Sequence, residues 1–189
     1  MAETDSWLRA ERGGTKRASL ISKPEVLAVL IRKAQRPLFI VGHEALLAGP
    51  EGESMIEFVT YMQEMLRIPV LSTAHTAGEL ISRGIKPAVS MGSMEIADRL
   101  RDPSWKGLDG KGQYDLVLIT GIPYSISWVL FSGLKQGAPK TKVVNLDPKY
   151  HPNATWSYGN LKTKDWQDEL LAVIQAIETM KKREESSNV

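Results

Sequence analysis

Two apolar patterns alternate along this chain. From Pro24 to Ala34, residues Val26, Leu27, Leu30, Ile31 and Ala34 recur at helical spacing, with Pro24 at the first helical position and Ser22 ahead of it as the cap. Pro37 stops that helix, and Leu38-Phe39-Ile40-Val41 follows as an unbroken apolar run closed by Gly42, the mark of a strand buried on both faces. The alternation then repeats. Residues 53–67 put Met55, Ile56, Val59, Met62, Met65 and Leu66 on one helical face, and Ile68 to Thr73 gives a strand with Pro69 near its start. Ala77 to Ser82 predicts a short helix, Ala88 to Met91 a short extended piece, and Met94 to Arg101 a helix capped by Ser93. Asp115 to Gly121 is the clearest strand. Ser125 to Gln136 follows as a helix that turns Ile126, Val129, Leu130 and Leu134 inward, and Lys142 to Asp147 as another strand. Tyr158 to Leu161 reads as a short last strand. Asp165 to about Glu185 reads as a long terminal helix with Trp166, Leu170, Val173, Ile174, Ile177 and Met180 inward.

Strands that alternate with helices predict an α/β fold, a doubly wound parallel sheet with helices on both faces. No repeat or linker interrupts the pattern, so residues 1–189 read as a single Rossmann-like domain with a short polar N-terminal arm, 1–20, around Trp7 and Leu8. Two stretches lie outside the alternation. Asp102 to Gln113 is rich in turn residues and reads as the least ordered segment; Asp147 to Trp156 is a long polar and aromatic loop.

Composition narrows the chemistry. The chain contains no cysteine, so no disulfide framework, thiolate-held cluster, cysteine zinc site or cysteine nucleophile belongs to it. Its histidines are His43, His75 and His151. The 24 basic and 22 acidic residues leave a net charge of +2. The one basic bias, eight cations against four acids over residues 1–36, is interleaved and suits a solvated or protein-facing surface better than a nucleic-acid face. No run is long enough to span a membrane, and the acidic, polar start is unlike a signal peptide; the chain reads as cytoplasmic.

In an open parallel sheet, ligands bind beyond the carboxyl ends of the strands. Four such ends carry Gly42-His43-Glu44, Thr73-Ala74-His75-Thr76, Thr120 to Tyr124 and Asn145 to Pro148. Gly42, His43, Thr73, His75, Gly121, Tyr124 and Asp147 are the candidate cofactor-binding residues. The two glycines would let backbone amides approach a phosphate, and Asp147 ends a strand as a ribose-binding acid does. Each also has a plainer reading: glycine after a strand serves turn geometry, Asp147 before Pro148 initiates a turn, and His43 or His75 is a polar loop end that caps a neighbouring helix. No Gly-x-Gly-x-x-Gly, Walker loop or nucleophile elbow is present, and no catalytic or metal-ligating set stands out.

Four segments carry a resemblance: Arg36 to Gly42, Ile68 to His75, Tyr114 to Tyr124, and Asp147 to Ser157. Through them the chain resembles, over about residues 4 to 180, the epsilon subunits of the archaeal acetyl-CoA decarbonylase/synthase (carbon monoxide dehydrogenase) complex. The resemblance implies a sheet of about six strands like the central domain of thiamine-diphosphate enzymes, a DHS-like NAD/FAD-binding fold in whose relatives FAD or ADP lies across the strand ends. It implies a partner, the alpha subunit that carries the nickel–iron–sulfur chemistry, in an assembly of two alpha and two epsilon chains. Self-association of the chain itself stays open. It implies a non-catalytic subunit that stabilises the alpha–epsilon component, with electron transfer to FAD as an added role. The competing expectation is a free-standing nucleotide- or flavin-dependent enzyme or an electron-transfer flavoprotein-like module. On the subunit reading, an apolar surface bearing Trp7, Trp105, Trp128 or Trp156 awaits a partner.

Overall fold

The computed structural model describes residues 17–46, 50–73 and 76–187. Trp7, Leu8 and His75, singled out above, lie outside those residues. Seven strands form one sheet: β1 (Ser19–Leu20), β2 (Pro37–Val41), β3 (Val70–Thr73), β4 (Val89–Met91), β5 (Leu116–Thr120), β6 (Lys142–Asn145) and β7 (Trp156–Ser157). Every pairing is parallel, in the order β1-β7-β6-β5-β2-β3-β4. Counted from β2, six of these strands run in the doubly wound order, with the direction of winding reversing between β2 and β5.

Successive residues of β2 feed opposite cores, because side chains alternate across a strand. Phe39 and Val41 join a cluster with helices α1 (Pro24–Lys33), α2 (Pro50–Glu64), the short α3 (Ala77–Ser82) and α6 (Thr163–Ser187). Leu38 and Ile40 join the other, with α4 (Ser93–Arg101) and α5 (Tyr124–Gly137). In α6, Trp166, Leu170, Val173 and Ile177 are buried at helical spacing, and the Trp166 indole donates to the Leu146 carbonyl at 2.8 Å, fastening the helix to the end of β6.

The structure differs from the sequence expectation at several points. The arm over 1–20 ends inside the sheet: Ala18, Ser19 and Ile21 donate backbone bonds to Pro152, Thr155 and Ser157, and β1 pairs with β7. The last strand lies at Trp156–Ser157 instead of 158–161, because Asn160 turns the chain with a φ of 60° and accepts the Tyr150 amide on its side-chain oxygen. Lys23, not Ser22, occupies the cap position of α1, and Gly92, not Ser93, that of α4; neither makes a side-chain capping bond. Met55 and Met62 are buried while Met65 is exposed. In α5 the core face is Ser127, Leu130, Phe131 and Leu134, which leaves Ile126 and Val129 41% and 55% exposed. Residues 102–113 are well organised. Asp102 accepts the Ser104 amide and hydroxyl, Gly112 donates to the Lys106 carbonyl, and the Tyr114 hydroxyl accepts the Leu108 amide. Arg36 clamps this loop through Asp109 and lies 5.2 Å from the centre of the Tyr114 ring. Among the described residues no helix is long and apolar enough to cross a membrane.

Replacing Trp166 by Phe keeps most of the apolar volume but strands the Leu146 carbonyl. The variant should lose about 1–3 kcal/mol in urea denaturation, with an unchanged slope.

Candidate functional site

The winding reverses between β2 and β5, and the turns that leave these strands meet there. Gly42 donates its amide to the Thr120 carbonyl at 2.8 Å, and Glu44 donates to the Gly121 carbonyl at 2.9 Å. A Cβ on Gly42 would sit 2.2 Å from the Gly121 oxygen, and one on Gly121 would sit 2.2 Å from the Ala45 nitrogen. Gly121 also holds a φ of 68°, a region that residues with a Cβ avoid. Both glycines are therefore dictated by backbone contact, and their amides bond within the chain.

Asp147, just past the end of β6, completes the junction. Its Oδ1 accepts both the Gly121 amide and the Thr120 hydroxyl at 2.8 Å. Desolvation pushes its carboxyl up to about 6 against those two bonds, with the Glu44 charge adding to the rise.

The glycine contact divides the crevice in two. On one side, Gly42, His43, Thr73, Ser93, Gly121 and Ile126 line a cavity of about 140 Å³. His43 is exposed in a 3₁₀ turn (His43–Leu46), and the Thr73 hydroxyl is bonded to that of Thr76 at 3.0 Å. On the other side, Glu44, Gly121, Tyr124, Asn145, Asp147, Lys149, His151 and Trp166 line a cavity of about 220 Å³. The candidate residues thus fall into two groups that share Gly121. His75 lies outside the described residues.

Asn145, which ends a strand, and Lys149 and His151 from the following loop join the larger cavity without having been among the candidate cofactor-binding residues. The Asn145 amide group donates to the Lys149 carbonyl at 2.9 Å and to the Ser157 hydroxyl at 3.2 Å, folding the 147–157 loop back over the strand ends. The Lys149 ammonium stands 4.7 Å from the centre of the Tyr124 ring. His151 is buried against Tyr124, Trp128 and Phe131, with ring centres 4.8, 5.6 and 4.5 Å away. Burial lowers its pKa to about 4, so the ring is neutral at pH 7. The aromatic composition of that loop was the legible signal; which side chain it would bury was not.

Among the described residues no three His, Asp or Glu side chains gather to hold a metal ion. As a flavin nucleotide site, the crevice fits in part. The larger cavity falls below the roughly 300–1,000 Å³ typical of a drug-sized ligand, and its wall carries the buried imidazole of His151.

Comparison with known proteins adds an independent observation. Residues 7–175 match the family model described as CO dehydrogenase beta subunit/acetyl-CoA synthase epsilon subunit. The chain is 38% identical over 160 residues to the acetyl-CoA decarbonylase/synthase complex subunit epsilon of Methanothrix soehngenii, covering 84% of this chain and 82% of that one. It is 34% identical over 160 residues to the subunit of the same name from Methanothermobacter thermautotrophicus, covering 85% and 88%. It is 38% identical over 145 residues to subunit epsilon 1 of Archaeoglobus fulgidus, covering 76% and 74%.

Asp147 and His151 oppose each other in acid. Asp147 titrates near 6 when folded against an ordinary 3.8, so between those values the folded chain holds the extra proton and this group's contribution falls as pH rises. His151 titrates near 4 against an ordinary 6.5, so there the unfolded chain holds the extra proton and stability rises with pH. In the wild type the two slopes offset. Asp147→Asn should leave a stability that climbs by of order 2 kcal/mol from pH 4 to 6.5, and His151→Phe one that falls over pH 4 to 6. Urea melts at stepped pH check both signs.

Proposed function

Because the chain belongs to the CO dehydrogenase beta subunit/acetyl-CoA synthase epsilon subunit family, we propose that it works as a non-catalytic subunit of an acetyl-CoA decarbonylase/synthase complex, seated on the alpha subunit of the carbon monoxide dehydrogenase component and stabilising it. The observation that carries this reading is the outer side of α5, where Ile126 and Val129, three residues apart, are exposed large apolar residues. Met94 is also exposed, at the start of α4, a helix that packs on α5. Isolated apolar residues are normal on a surface; an exposed apolar pair at the ligand-binding edge of a sheet is a surface that a partner could cover. Of the candidate tryptophans, the described ones are half-buried against the chain itself. Trp105 packs on Tyr114 and Trp128 on His151, Trp156 lies against the core, and Trp7 is outside the described residues.

A second reading adds a flavin role. The exposed patch adjoins the smaller cavity, of which Ile126 is part of the wall, so a flavin nucleotide held across the strand ends would lie beside the surface offered to the partner. With no cysteine in the chain, such a cofactor is the redox group this subunit could hold by itself. Titration with FAD, followed by flavin fluorescence, checks the second reading. Micromolar binding is expected, and no binding at ~100 μM removes the role from the lone subunit.

For the first reading, Ile126→Asp combined with Val129→Lys should weaken co-assembly with the alpha subunit by at least ~10-fold, because charges replace apolar contacts at the centre of the patch. Unfolding should change by no more than about 0.5 kcal/mol per site, since both residues are exposed. Co-elution that is unchanged in the double variant would move the interface off α5.

A further inference from the structure

The opposite edge of the sheet, where the strands begin, carries a trough of positive charge. Three cavities adjoin along it. The first, of about 350 Å³, lies at the start of β2 and β3 and is lined by Arg32, Arg36 and Arg67. The second, of about 270 Å³, lies between α1 and the start of β6, with Lys33, Lys140 and Lys142 around Asp115. The third, of about 430 Å³, is bounded by Arg101 and Lys140 and walled by Leu100, Pro103, Ala138 and Pro139. Ala34 lines the first and second, and Asp115 and Lys140 line the second and third.

The acids of this edge are already engaged. Asp115 accepts the Gln35 amide on one oxygen at 2.8 Å and the Arg36 amide on the other at 2.9 Å. Asp109 is bound to Arg36, Arg32 is paired with Glu184, and Arg101 stands 3.7 Å from Asp98. Among the described residues, Lys33, Arg67, Lys140 and Lys142 have no carboxylate partner, and all four are exposed. Cations in the last turn of a helix answer its carbonyl end, which accounts for Arg32, Lys33 and Arg101. It does not account for Lys140 and Lys142, which flank Thr141 at the start of β6, beyond the end of α5 at Gly137. Like charges gathered around one cavity repel unless an anion lies among them.

We propose that this trough is a docking surface for an acidic segment of a partner protein, one in which apolar residues separate the carboxylates. The carboxylates meet Arg67, Lys33, Lys140 and Lys142, and an apolar side chain enters the pocket walled by Leu100, Ala138 and Pro139. The starts of β3, β2, β5 and β6 stand side by side, so at ~4.8 Å per strand the trough spans about 15 Å, the reach of roughly five extended residues. The apolar wall favours a protein segment over the evenly charged backbone of a nucleic acid. Tyr114, which lines the first and third cavities, is buried, so it offers bases no ring to stack on. The trough lies at the other end of the sheet from Ile126 and Val129, which sit near the start of α5, and it stands independently of the interface proposed there.

The test is fluorescence anisotropy of the full chain with labelled probes: a hexapeptide alternating Glu and Leu, the same peptide with Gln for Glu, the same with Ser for Leu, and an oligothymidylate. The Glu–Leu peptide should bind, and either exchange should weaken it, Gln for Glu by at least ~10-fold. Raising salt from ~50 to ~500 mM should weaken it by a similar factor. Lys140→Glu combined with Lys142→Glu should cost at least ~10-fold while the urea midpoint stays near that of the wild type, since both residues are exposed. Lys162→Glu, an exposed change near Pro148 at the other end of the sheet, should leave peptide binding unaltered. So should Ile126→Asp with Val129→Lys. An equal loss in Lys162→Glu would reveal attraction to the charge of the whole molecule and overturn the proposal. Tighter binding of the oligothymidylate than of the Glu–Leu peptide would overturn it in favour of nucleic acid. Absence of peptide binding at ~1 mM would overturn it outright. None of these failures touches the alpha-subunit reading, which co-elution decides.

Discussion

The backbone contact between Gly42 and Gly121 is the constraint on which the site depends. It lies at the point where the sheet reverses its winding, where an open α/β fold ordinarily leaves a crevice. Here the two turns touch, each with no room for a Cβ, and their polar groups bond to one another and to Asp147. Among the described residues two cavities flank the contact.

Asp147 links that ridge to the next strand. It ties the end of β5 to the end of β6, and the loop that follows folds over the same edge through Asn145 and Ser157. Held there, the loop brings His151 into the core side of α5 and Lys149 over Tyr124. One polar anchor thus organises both the chain path and the chemistry of the larger cavity. Its raised pKa is the physical cost of withdrawing a carboxylate from water for that purpose.

Much of this was legible from residue pattern. Leu38 to Val41 and Leu116 to Thr120 announced central strands because strands buried on both faces are uniformly apolar, and those two are the neighbours at the reversal. Gly42, Gly121 and Asp147 were found as candidates because strand ends are where such folds keep their functional loops. What escaped were features without a period. A two-residue strand such as β1 has no alternation to read, and a turn made by Asn160 is invisible until its φ is known. In α5 the apolar positions outnumber one helical face, so composition could not tell which would turn outward; packing chose Ser127 and Phe131 and left Ile126 and Val129 outside. His151 was visible as part of an unusual loop, but its burial depends on contacts with α5 far away in sequence.

The sheet's two borders carry their own message. β1 is two residues long and β4 three, so at either edge only a few backbone groups are available to another strand. Such short borders resist extension by foreign β-structure. Among the described residues, association is therefore favoured side chain to side chain, through helices and loops, where recognition depends on shape and sequence and not on the generic hydrogen-bonding ladder that all strands share.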